Sequence, residues 1–163
     1  MVLFTAGCSL PSLSFHAPVW IITLPATFTG RFTVVEHHAF AGKSFTCSSQ
    51  TTGTVTVDKQ GKATVTTQGG VFSISDTGQC VEQGKSQGWQ AEGQVENPEQ
   101  PYLKFTSCNQ GKYRAEGSAE HIVAEYQATT QTGKLTGGVT CFDEHNQPVA
   151  ELSFYLLGSE PRQ

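Results

Sequence analysis

The stretch from Thr51 to Ser75, TTGTVTVDKQGKATVTTQGGVFSIS, limits the fold more than any other part of the chain. Val55 and Val57 alternate with Thr54 and Thr56, and Ala63 and Val65 alternate with Thr64 and Thr66. A period of two puts the apolar side chains on one face of an extended strand and the hydroxyls on the other. Between the two runs lies Asp58-Lys59-Gln60-Gly61. Asp tolerates turn geometry and Gly supplies positive φ, so this is a hairpin loop of the longer kind. Gly69-Gly70 then breaks the chain before Val71-Phe72-Ser73-Ile74-Ser75, where Phe72 and Ile74 share a side. The stretch reads as three consecutive strands of an antiparallel meander.

The same alternation recurs along the chain. From Ala26 to Glu36, Phe28, Gly30, Phe32 and Val34 share one face and Thr29, Arg31 and Thr33 the other, with His37-His38 at the strand end or in a loop. Ser44 to Ser48 resumes a strand whose parity points Phe45 and Cys47 inward. Further strands are expected at Gly88–Val95, carrying Trp89, and at Tyr102–Ser107, with Leu103 and Phe105 inward. Lys112–Gly117 and Glu120–Ala128 read as another pair, with Ile122, Ala124 and Tyr126 on one side of the second. Lys134–Phe142 aligns Leu135, Val139 and Cys141, and Val149–Leu157 aligns Leu152, Phe154 and Leu156. Turns are expected at Glu96–Pro101, Thr129–Gly133 and Asp143–Gln147. Twenty Thr against nine Leu, with 17 Gly, favour strands and turns over helices. About ten strands at this spacing predict an all-β fold, an antiparallel meander closing into a barrel, with a β-sandwich as the alternative. The 163 residues suit one domain, placed at 26–158 between an N-terminal segment (1–25) and a short tail (159–163).

Four of the five cysteines lie in the body: Cys47, Cys80, Cys108 and Cys141, spaced 33, 28 and 33 apart. None forms a C-x-x-C pair, which argues against a zinc ribbon or a thioredoxin-type redox pair. Well-separated cysteines in a Thr- and Gly-rich chain of low charge read as two disulfides formed in an oxidising compartment. Three connectivities are open. Cys47–Cys80 with Cys108–Cys141 is favoured because it closes two equal loops, each contributing about 3–4 kcal/mol in the chain-entropy model.

The fifth cysteine sits in Phe4-Thr5-Ala6-Gly7-Cys8, which resembles the lipobox of bacterial lipoproteins. There, small residues precede a cysteine that is lipidated and becomes the mature N-terminus. Only seven residues precede Cys8, fewer than the basic and apolar regions of a full signal need, and Thr5 stands where Leu is usual. The resemblance implies a protein of the bacterial cell envelope, tethered to a membrane surface through acyl chains on Cys8. Residues Ser9 to Pro25, with Pro11, Pro18 and Pro25, then serve as tether, and Trp20 within them reads as a packing residue. The body is similar in general architecture to calycin-type barrels such as lipocalins and avidins, without any of their specific motifs.

Composition narrows function further. A net charge of −4 without a run of Lys or Arg argues against nucleic acid as a partner. No H-E-x-x-H, P-loop or Rossmann pattern occurs. Asp76-Thr77-Gly78 has the look of an aspartic-protease motif, but that chemistry needs a second matching carboxylate, and Asp-x-Gly is also a common turn. His37, His38, His121 and His145 show no ligand spacing, so no metal or cofactor is expected. The leading reading is a non-catalytic binding module, with Phe28, Phe32, Phe72, Trp89, Phe105 and Phe154 as the residues that would line a pocket for a small apolar ligand. The same residues also suit an ordinary core. The alternative is an envelope interaction protein, such as an adhesin or an inhibitor, acting through loops or a sheet edge. A third reading, an envelope hydrolase, requires two titratable groups buried together in a cleft. An apolar void of roughly 300 Å³ inside the barrel separates the first reading from the second.

Overall fold

The computed structural model describes residues 24–96, 102–126 and 130–161. Cys8 and its flanking motif, Trp20, and the turn residues 97–101 and 127–129 lie outside the described residues, as do the side chains of Ile122, Ala124 and Tyr126. All regular structure among the described residues is strand: β1 (Ala26–Phe40), β2 (Lys43–Val57), β3 (Lys62–Gly70), β4 (Phe72–Ile74), β5 (Cys80–Glu82), β6 (Gly88–Glu96), β7 (Tyr102–Cys108), β8 (Tyr113–Tyr126), β9 (Thr130–Phe142) and β10 (Pro148–Pro161). Eight of them close into an antiparallel barrel in the order β1-β2-β3-β6-β7-β8-β9-β10, with β10 pairing back onto β1. The barrel of the sequence reading is thus the architecture, and the sandwich is not. Closure leaves no sheet edge along the paired wall.

Both predicted disulfides are present with the favoured pairing, Cys47–Cys80 and Cys108–Cys141. Cys108 on β7 and Cys141 on β9 flank β8 and are fully buried. Cys47 points inward from β2, while Cys80 stands exposed on β5.

The meander itself is corrected at its third strand. β2 and β3 pair as expected, Val55 opposite Val65, but the next barrel strand after β3 is β6, not Val71–Ser75. Gly69 (φ 106°) and Gly70 (φ 88°) take up backbone angles that strand residues avoid and lead the chain off the wall. β4 then pairs with β5, Phe72 opposite Glu82 and Ile74 opposite Cys80, as a separate two-stranded excursion. At the departure point the β3–β6 ladder shifts register between Thr66 and Gly70. There the buried Thr67 hydroxyl donates to Gly69 O (2.8 Å) and accepts from Trp89 N (2.8 Å), replacing the missing ladder bonds.

Strand lengths are the second correction. β1 runs through His37-His38 to Phe40, β2 joins Ser44–Ser48 to the Thr54–Val57 run, and β8 is continuous where a turn was expected between Gly117 and Glu120. β9 begins at Thr130, and β10 continues into the presumed tail as far as Pro161. In a closed barrel each strand is hydrogen-bonded on both sides. The ladder therefore carries through a local break in alternation, as where Gly117 and Ser118 pair with Val139 and Gly138.

Three turns share one construction. In Asp58–Lys62 and Asp143–Gln147 the Asp Oδ1 accepts two backbone N–H groups, and in Ser75–Gln79 the Ser75 hydroxyl oxygen accepts from Gln79 N. Gly61, Asn146 and Gly78 hold the left-handed position in each. Asp76-Thr77-Gly78 is therefore turn chemistry.

Candidate functional site

The aromatic residues that the sequence offers as a cavity lining converge inside the barrel, and they fill it. Phe28, Phe32, Trp89, Phe105 and Phe154 all belong to the buried core, with Val34, Val55, Leu103, Leu135 and Leu152 packed among them. The Phe32 and Phe154 ring centres stand 4.9 Å apart, and Phe105 meets Phe154 edge-on at 6.2 Å. Three of the rings lie over glycines on neighbouring strands. A Cβ at Gly53 would come within 2.6 Å of Phe32, one at Gly93 within 2.9 Å of Phe105, and one at Gly158 within 2.5 Å of Phe28. An eight-stranded barrel has an interior just wide enough for side chains, and here the large rings occupy volume that the glycines leave free. Phe72 is not among them: it lies half-buried on β4, off the wall.

The polar chemistry gathers at one end of the barrel, where the β4–β5 ribbon, the cap, is fastened to the wall through Cys47–Cys80. Its centre is Glu36, only 4% exposed and on the same face of β1 as Phe28, Phe32 and Val34. Trp89 Nε1 donates to Glu36 Oε2 at 2.7 Å, and Phe72 N donates to Oε1 at 3.2 Å. His38 Nε2 stands 2.8 Å from the same Oε1. One carboxyl group thus joins three elements, the cap included, and the burial cost of its oxygens is met by these contacts. Glu82 of β5 returns the contact by accepting from Gly70 N at 3.1 Å. The sequence reading did not single out Glu36. The available signal was an acidic residue continuing the apolar parity of its strand, a placement that requires partners if the strand is real. His37, on the opposite face, bonds Glu151 of β10 at 2.6 Å, as strand alternation demands.

Beside this cap a cleft of about 460 Å³ opens between the tip of the β1–β2 hairpin and the β9–β10 turn. His37, His38, Ala39 and Phe45 form one wall and Asp143, Gln147, Pro148 and Val149 the other. His38 and Phe45 are cross-strand partners with ring centres 6.2 Å apart. A second cleft, of about 390 Å³, lies on the outer wall over Thr29, Thr52, Thr54, Thr66 and Gln68, where threonines of β1, β2 and β3 stand in cross-strand register. Among the described residues no three His, Cys, Asp or Glu side chains come together as a metal site. No family model matches the chain, and no curated protein matches its sequence.

Proposed function

We propose that the protein is an extracytoplasmic binding module that recognises another protein through the capped end of its barrel. The observation that carries this is the filled interior: rings that would have to line a ligand cavity pack against one another and against glycine backbone. The small-ligand reading needs internal volume, and a barrel packed in this way offers its partner an outside surface. Two formed disulfides are what an oxidising environment leaves in place, and they fix the capped end as a rigid platform. A lipid anchor on Cys8, held away from the barrel by the segment up to Pro25, completes the proposal. It would confine the module to a membrane surface and raise its effective concentration for partners there.

Native mass spectrometry of the protein purified from its own compartment tests this. The expected spectrum shows acyl mass on Cys8, all four body cysteines oxidised, and no stoichiometric small molecule. A lipid or other apolar compound retained at one per chain, and released by Phe32→Trp, which overfills the core, would overturn the protein-binding reading in favour of a carrier.

A further inference from the structure

β1 pairs with β2 along its full length, from Ala26 to Phe40, but with β10 only from Thr29 to Glu36. Beyond Glu36 the wall parts, and His37 to Phe40 continue as one half of a two-stranded ribbon. The ribbon turns through Ala41 (φ 53°) and Gly42 (φ 77°), a two-residue loop with both centres left-handed. That turn directs the backbone groups of Phe40 and His38 toward their partners Lys43 and Phe45. By alternation the N–H and C=O of Ala39 face the other way, toward the cleft. Across the cleft β10 begins with Pro148, which has no N–H to offer. The result is a short strand edge, outside any ladder, beside an open volume of about 460 Å³.

We infer that this edge receives an extended segment of the partner protein, added as a strand alongside His37–Ala39 and carrying a Lys or Arg side chain. The inference rests on the protein-binding reading above and names its site. Only a peptide backbone offers donors and acceptors at the repeat that a strand edge requires. At a strand spacing of about 4.8 Å from Ala39 the added segment would run into the cleft, on the side of Pro148 and Val149. Apolar contact is at hand in Phe45, Pro148 and Val149. The basic residue follows from charge. Histidines apart, Asp143 is the one ionisable side chain in the lining, Glu144 beside it is open to solvent, and Glu151 is half open next to His37. No Lys or Arg lines the cleft to oppose a cation.

The test uses the oxidised full chain and a short acetylated peptide of alternating lysine and valine. Binding is followed by titration and by amide exchange. The expected result is saturable binding with exchange slowed at His37 and Ala39. N-methylation of alternate peptide nitrogens should weaken binding about ten-fold, since edge hydrogen bonds are lost. Ala39→Pro should do the same from the protein's side. Asp143→Asn keeps the Oδ1 that caps the turn, and should abolish the preference for the lysine peptide over its glutamate counterpart. Should Ala39→Pro disturb the ribbon, the N-methyl arm needs no variant. Binding indifferent to N-methylation, or protection elsewhere, overturns the inference. If the peptide fails while a purified partner protein protects the outer face of β10 at Tyr155 and Leu157, protein binding stands and the edge falls. A stoichiometric apolar ligand in the barrel would remove both.

Discussion

Cys47–Cys80 and Cys108–Cys141 close loops of the same length, 33 residues, with nearly equal Cα separations of 5.8 and 6.0 Å. A model that counts only the entropy removed from the unfolded chain gives them the same value. They fasten different things. Cys108–Cys141 bridges β7 to β9 across β8, inside the barrel, so both sulphurs are core atoms as well as cross-link. Cys47–Cys80 ties the wall to β5, whose three residues are all exposed. The difference teaches that a disulfide's contribution depends on what the tied element can do in the folded state once the bond is removed. A wall strand has nowhere to go, whereas a cap held at its margin can open by itself.

The largest expected effect follows from the first bridge. Replacing Cys108 and Cys141 together by Ala should cost about 4 kcal/mol, at the upper part of the range for such loops, because the lost cross-link is joined by lost core volume. Urea unfolding should remain a single transition at a lower midpoint. The equivalent Cys47→Ala/Cys80→Ala pair should cost about 2 kcal/mol globally, with fast amide exchange confined to residues 71–87. Equal losses with equal spread of exchange would show that the cap is part of the cooperative unit, and the comparison above would fail.

How far these regions were legible in the sequence divides along the same line. The barrel wall could be read because burial on one face imposes a period of two, and Val55, Val65, Leu103, Phe105, Leu152 and Phe154 all point where that period places them. The cap could not. Phe72 and Ile74 alternate as wall residues do, yet their strand has no neighbour in the barrel, and its pairing with Cys80–Glu82 is set by two glycines and a sulphur link rather than by a pattern. Glu36 was hidden for a related reason: its meaning depends on Trp89 and Phe72, 53 and 36 residues away. The cleft depends on where one ladder stops, and a ladder's end leaves no mark in composition.

The cap's polar attachment should be weaker than its covalent one. Glu36→Gln retains the shape but replaces one oxygen by an NH₂ group. If the amide oxygen faces Phe72 N and His38, the NH₂ confronts the Trp89 N–H. If it is turned, Phe72 N loses its acceptor. Either way one buried donor goes unmet, at a cost of about 1–2 kcal/mol. Trp89 fluorescence should shift in this variant, and exchange should quicken in residues 71–87 and also at Trp89. A change in global stability without either local sign would mean that Glu36 supports the wall alone.

The smallest effect tests whether the ribbon beside the cap is independent of the barrel. Ala41 carries a Cβ at φ 53°, a conformation that costs an L-residue of the order of 1 kcal/mol. Ala41→Gly removes that strain but adds freedom to the unfolded chain, so the net gain should be about 0.5 kcal/mol. If His37 to Thr46 frays without unfolding the wall, this gain slows exchange in that segment and leaves the urea midpoint unchanged. If the midpoint rises instead, the ribbon unfolds only with the barrel. The edge at Ala39 would then be held as rigidly as the strands behind it, and a partner segment would meet a preformed template with no ordering cost on this side.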